Sequence, residues 1–206
     1  MNIEIEITGV TAVLMNRFTD ENEAQVTSGT RPSTIGHRGT PREQAEKTAY
    51  KDDKGNLYVP TQNLYACIIN AGKFHKVGKT KVTTAKSSLV PAGIVMTDGL
   101  VLPLLSPKSN KAQKSFEVDS RRVVIPATGG AVMRHRARID EWRIRFTVEV
   151  DMTVFDANFV RTLVDDAGKK IGLGDYRPER KGPFGKFKVT KWGIEEAKKK
   201  KSRKAG

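Results

Sequence analysis

The chain has one cysteine, Cys67, and three histidines among 206 residues. A lone cysteine excludes an intramolecular disulfide, and three scattered histidines do not complete a cysteine-based zinc site with it. Acidic side chains are scarce relative to basic ones: 23 Asp and Glu face 37 Lys and Arg, a formal net charge of +14. No apolar run approaches the ~20 residues that span a bilayer. Met1 to Ile7 has neither a basic n-region nor an apolar h-region, so a secretory signal is not expected. Hydrophobic residues make up only 37% and aromatics 7%, enough for one modest core surrounded by polar loops. These absences predict a cytoplasmic chain without membrane span, cofactor or metal. The surplus of cations favours a polyanionic partner, by raising the local potential and releasing phosphate counterions.

Ile3, Ile5 and Ile7 alternate with Glu4 and Glu6, the pattern of a half-buried strand, and Val10, Val13 and Leu14 carry the apolar content past Gly9. From Thr19 to Asn56 large aliphatic side chains all but vanish. This stretch, with Arg31, His37, Arg38 and Arg42, reads as a polar insertion, either functional or mobile without a ligand. Leu57 to Pro60 reads as a short strand and Thr61 as the N-cap of a helix. Leu64, Ile68 and Ala71 mark its apolar face, and Gly72 reads as its C′ stop. Lys73, His75, Lys76, Lys79 and Lys81 follow at once. Ser88 to Leu105 reads as strands, with Asp98-Gly99 as a hairpin turn.

Residues 106–122 read as a second basic loop and Val123 to Ile125 as a short strand. Thr128-Gly129-Gly130 leads into Arg134-His135-Arg136-Ala137-Arg138, where alternation puts the arginines on one face. Arg143 to Met152 is the clearest strand, with Ile144, Phe146, Val148 and Val150 on one side. Asp156 caps the clearest helix, whose apolar face is Phe159, Val160, Leu163, Val164 and Ala167. A strand from Phe187 to Thr190 closes a single domain spanning 1–190, and a basic tail, 191–206, follows as a frayed or solvated end. Stripped of insertions the order is βαββαβ. It predicts an α+β, ferredoxin-like domain, an arrangement RNA-recognition folds also use.

Between the last helix and the last strand runs Lys169-Lys170-Ile171-Gly172-Leu173-Gly174-Asp175-Tyr176-Arg177-Pro178-Glu179-Arg180-Lys181-Gly182-Pro183-Phe184-Gly185-Lys186-Phe187, with four glycines and six cations. Glycine lets a backbone approach a bulky partner and take positive φ. Arginine and lysine supply donors for phosphate. Such a loop is either a grip on nucleic acid or a structural connection with a solvated surface. The candidate contacts are Gly172, Gly174, Tyr176, Arg177, Arg180, Lys181, Gly182, Phe184, Gly185 and Lys186. Arg31, Arg38, Lys73, Lys76, Arg134, Arg136 and Arg138 are further candidates, although an arginine face can equally be an edge defended by charge. Tyr176 and Phe184 are the rings best placed to stack on bases. Tyr50, Tyr58, Phe74 and Phe116 lie in or beside other loops and read mostly as packing.

The spacing Gly172-x-Gly174-x-x-Arg177-x4-Gly182-x-Phe184-Gly185-x-Phe187 resembles the glycine-rich loop of the RAMP superfamily of CRISPR-associated proteins. Leu57-Tyr58-Val59-Pro60-Thr61-Gln62-Asn63-Leu64-Tyr65-Ala66 resembles a second feature of that family, an apolar strand ending in proline before a polar cap and a helix. The likeness is closest to backbone subunits of CRISPR effector complexes, and residues 73–135 do not enter it. It implies a ferredoxin-like fold and a guide RNA with its complementary target as ligand. Copies of the same chain and other effector subunits are the implied partners, and no cofactor is implied. Asp175 and Glu179 depart from an all-cationic loop and are expected to pair with Arg177 or Arg180.

Two other functions stay open. A metal-independent endoribonuclease that processes precursor guide RNA needs a base and an acid, tasks that suit histidine near neutral pH. His37, His75 and His135, the last within an arginine cluster, are the candidates. A single-stranded DNA-binding protein of a mobile element would use the same surface. Asp52-Asp53 and Asp165-Asp166 can hold magnesium only with partners brought from elsewhere.

Overall fold

The computed structural model describes residues 1–18, 39–124 and 129–195. Arg31, His37 and Arg38, and the tail beyond residue 195, lie outside the described residues. In chain order the elements are β1 (Asn2–Gly9), β2 (Val13–Leu14), α1 (Pro41–Thr48), β3 (Tyr58–Pro60) and α2 (Thr61–Ala71). Then come β4 (Lys76–Val77), β5 (Thr80–Lys81), α3 (Val90–Gly93), β6 (Ile94–Met96), β7 (Val101–Pro103) and β8 (Glu117–Val124). β9 (Ala131–Ile139), β10 (Arg143–Val150), α4 (Ala157–Asp166) and β11 (Phe187–Glu195) complete them.

The protein is α+β, built on antiparallel sheets. The central one has the order β11-β1-β10-β6. Ile3, Ile5 and Ile7 of β1, with Ile144, Phe146, Val148 and Val150 of β10, are buried in one core with Leu64, Ile68 and Ala71 of α2 and Val160, Leu163 and Val164 of α4. Each of these side chains larger than Ala71 contributes about 1.5–3 kcal/mol by leaving water. α2 and α4 pack on each other, and α4 also packs on β11. Asp156 caps α4, its carboxylate accepting from the Phe159 N–H at 2.8 Å, as expected. On the strand face opposite this core, Glu6 is only 4% exposed, bound by Arg145 at 2.8 Å and by the Thr190 hydroxyl at 3.1 Å.

A second sheet, β2-β9-β8, carries a long hairpin with α1 packed on it. The Ala137 N–H donates to the Thr48 hydroxyl at 2.9 Å, tying α1 to β9. Trp142, fully buried, joins this sheet to the first; its indole N–H donates to the Thr11 carbonyl at 2.9 Å.

Several expectations are corrected. The polar stretch 19–56 contains α1, which starts with a capping box: Thr40 and Glu43 exchange hydrogen bonds and Pro41 begins the first turn. Its core contacts are Ala45 and the adjacent Ala49, too small to register as an apolar stripe. Thr61 is not a cap; it is the first helical residue, and its hydroxyl donates to the Gly99 carbonyl. Gly72 is not a left-handed stop, since its φ is −56° and the chain continues into a 3₁₀ turn, Gly72–Phe74. A Cβ there would overlap the Thr83 hydroxyl. Asp98-Gly99 does not close a hairpin, because β6 pairs with β10 and β7 with β3. Residues 117–122 belong to β8 and not to a basic loop. β11 runs past Thr190 to Glu195, into the stretch read as tail.

Candidate nucleic-acid interface

α4 ends in a π turn, Ala167–Ile171, which delivers the chain into the glycine-rich loop at Gly172. The loop is stitched to its surroundings by backbone. The Leu173 N–H donates to the Gly185 carbonyl at 2.8 Å, the Gly185 N–H to Ala12 at 2.7 Å, and the Asp175 N–H to Leu14 at 2.8 Å. Gly185 sits at φ 72°, and a Cβ there would overlap the Leu173 carbonyl oxygen, so both conformation and close approach call for glycine.

The two acids of the loop organise it. Glu179 binds Arg177 at 2.7 Å and Lys73 at 3.3 Å, and Arg177 also donates to the Gly174 carbonyl at 3.0 Å. Burial alone would push the Glu179 carboxyl up, but Arg177 and Lys73 outweigh it and hold the group below the usual carboxylate range. Asp175 reaches neither Arg177 nor Arg180; it binds Arg136 of β9 at 2.6 Å. Arg177 and Arg136 are thus structural cations whose charge is already matched.

The hairpin register sets the second part of the candidate interface. Glu117, Asp119 and Arg121 lie opposite Arg138, Arg136 and Arg134, all on one face. Arg138 is bound to Asp140 at 2.7 Å and Arg121 to Asp119 at 2.6 Å. Arg134 is exposed and has no carboxylate within 4.0 Å among the described residues. Arg121 lies 4.4 Å above the Phe184 ring and 5.8 Å from the Tyr176 ring. Phe184 is 9% exposed, a packed ring and not the open stacking platform expected, whereas Tyr176 is 41% exposed. His135 points to the opposite strand face from the arginines, its Nδ1 2.7 Å from the Ser120 hydroxyl.

The third part is the hairpin β4–β5 with the 3₁₀ turn before it. Lys73 reaches Glu179, Lys170 sits 4.8 Å above the Phe74 ring, and the His75 Nε2 lies 2.9 Å from Asp166. These contacts fuse the hairpin, the end of α4 and the Pro178–Arg180 turn into one surface. Lys76, Lys79, Lys81, Lys169, Arg180 and Lys181 are exposed on it, with no carboxylate within 4.0 Å among the described residues. Lys186, at the far end of the loop, is half-buried and bonded through its backbone to Val10 and Thr11.

A cleft of about 280 Å³ opens between β2, α2 and the loop, with Cys67, Gly172 and Gly174 among its lining residues. Cys67 went unremarked in the sequence as a site residue, yet its thiol lies 3.2 Å from the Gly172 carbonyl and 3.4 Å from that of Ala167. Burial pushes this thiol far up from its ordinary value, leaving it inert.

Among the described residues no group of three or more His, Cys, Asp or Glu side chains can hold a metal, and no helix is long and apolar enough to cross a membrane. No protein-family model matches the chain, and no curated protein matches it.

Proposed function

We propose that the protein is a single-stranded RNA-binding module of RAMP type, copies of which line up along a guide RNA as the backbone of a CRISPR effector complex. The observation that carries this reading is the seating of the glycine-rich loop. Its acids engage Arg177, Lys73 and Arg136, which leaves Arg180, Lys181, Arg134 and the lysines of the β4–β5 hairpin exposed around it. Phosphates of a strand laid across this surface meet cations that no internal carboxylate competes for.

The order β1, α2, β6, β10, α4, β11, with both helices on the core side of a sheet ordered β11-β1-β10-β6, supports a ferredoxin-like reading of the α+β fold. The loop's position between α4 and β11 supports the resemblance to RAMP proteins. Base pairing of the guide would supply sequence specificity, and the protein would supply the charged track.

The endoribonuclease reading is less well supported. His75 is engaged by Asp166, and His135 faces away from the arginines.

The test is competition binding of matched single-stranded RNA and DNA across a salt series, with mass measured by size-exclusion light scattering. RNA preferred over DNA, in particles that grow with RNA length, is the expected result. Equal affinity for DNA favours the mobile-element reading, and no binding at any salt refutes both.

A further inference from the structure

The cleft beside the loop has an organisation that phosphate binding does not use. Asn63, Ala66, Cys67 and Asn70 recur at i, i+3, i+4 and i+7 of α2 and all four line the cleft; Cys67 also belongs to the core with Leu64, Ile68 and Ala71, and the other three flank that core stripe. Asn16 and Tyr50 stand on other walls, and Val13, Leu14, Met15 and Val59 make apolar panels. The side-chain amides of Asn16, Asn63 and Asn70 and the Tyr50 hydroxyl bind no group among the described residues. Asp175 and Arg177 at the loop side are matched by Arg136 and Glu179. The cleft therefore offers unused donors and acceptors between apolar walls, with its charges cancelled, which suits a neutral, planar, hydrogen-bonding group. Its 280 Å³ is near the ~300 Å³ lower bound of ligand sites, room for a single small ring system and not for a dinucleotide cofactor.

We propose that this cleft takes one unstacked base of the bound strand, its edge read by the amides of Asn63 and Asn70. A carboxamide presents a donor and an acceptor side by side, the complement of the adenine N6/N7 edge, so adenine is the first base tested. The proposal rests on the single-stranded RNA reading. It adds a base-reading site to what would otherwise be a sequence-blind track.

The test titrates the ribonucleosides, which carry no phosphate, into isotope-labelled protein and follows the side-chain NH₂ resonances of Asn63 and Asn70. Adenosine is expected to move both. Ala66→Leu, which fills the cleft without removing a polar group, is expected to abolish the shifts at unchanged Tm. In parallel, a short oligoadenylate is compared with the same strand carrying abasic positions. The abasic strand should bind wild type about tenfold more weakly and Ala66→Leu no more weakly than the intact strand does. If intact and abasic strands bind wild type alike and no nucleoside moves either resonance, the cleft proposal is overturned while the phosphate-binding reading stands. If adenosine moves both resonances but no oligonucleotide binds, the polymer reading falls and the cleft is a nucleoside site.

Discussion

Replacing Gly185 by alanine tests whether the loop is a rigid platform. The residue sits at φ 72°, where an L side chain costs about 1–2 kcal/mol. The added methyl would also overlap the Leu173 carbonyl oxygen, so the backbone must shift. That shift strains two hydrogen bonds, Leu173 N–H to the Gly185 carbonyl and Gly185 N–H to Ala12, each contributing about 1 kcal/mol. The sum is about 3–4 kcal/mol, or about 6–16 °C in Tm for a chain of this size. Gly55 provides the control: its φ is 76°, but nothing lies within 4 Å of a Cβ there. Gly55→Ala should therefore cost only the conformational ~1–2 kcal/mol. Urea unfolding of both variants and wild type gives the comparison directly. Equal losses for the two variants would refute the claim that close packing, beyond φ alone, fixes the loop. A Gly185→Ala protein that folds at low temperature should bind RNA more weakly than Gly55→Ala, since only the former disturbs the cationic track.

Three further outcomes are expected. Burial raises the Glu6 carboxyl, but hydrogen bonds from Arg145 and Thr190 and the charges of Arg143 and Arg145 hold it below the usual range. Its stabilisation is therefore fully present above the ordinary carboxylate pKa and is lost as pH falls through the lowered folded value. Glu6→Gln should cost about 1–3 kcal/mol near neutrality, and the gap to wild type in chemical unfolding should narrow in acid. Arg180→Ala with Lys181→Ala should weaken RNA binding alike across sequences and flatten the log–log salt slope by about 1.4; an unchanged slope removes the turn from the interface. Cys67 should resist thiol reagents in the native protein and react on unfolding in urea, and fast native labelling would contradict its burial.

The elements with strong apolar periodicity were legible in the sequence: Ile3 to Ile7, Ile144 to Val150 and the helix capped by Asp156 all lie where alternation or helical spacing puts them. α1 was hidden because its buried residues are alanines, although Thr40 and Glu43 spell its capping box. β8 was hidden because Glu117, Ser120, Arg121 and Arg122 look like loop. It pairs along its whole length with β9 through backbone hydrogen bonds, which leave no apolar periodicity to read. At the candidate site, the Arg177–Glu179 pair was legible because both residues share the loop, whereas Lys73 reaches Glu179 from 106 positions away. The Asp175–Arg136 pair joins residues 39 positions apart in sequence and needs the tertiary fold to appear. The amide stripe of α2 was readable at helical spacing but carried no charge to draw attention.

The placement of β1 has a consequence for how the chain is made. Its partners are β10 and β11, so Ile5 must wait for Phe146 and Trp192 before either neighbour exists. At ribosomal rates of about 5–20 residues per second, that is a delay of roughly 7–40 s with an isoleucine-rich strand unpaired. Contacts of such long sequence separation also slow the folding step itself. During synthesis β1 emerges long before either of its partners, and nascent chains stalled before β11 should be prime clients for chaperones that hold exposed apolar strands.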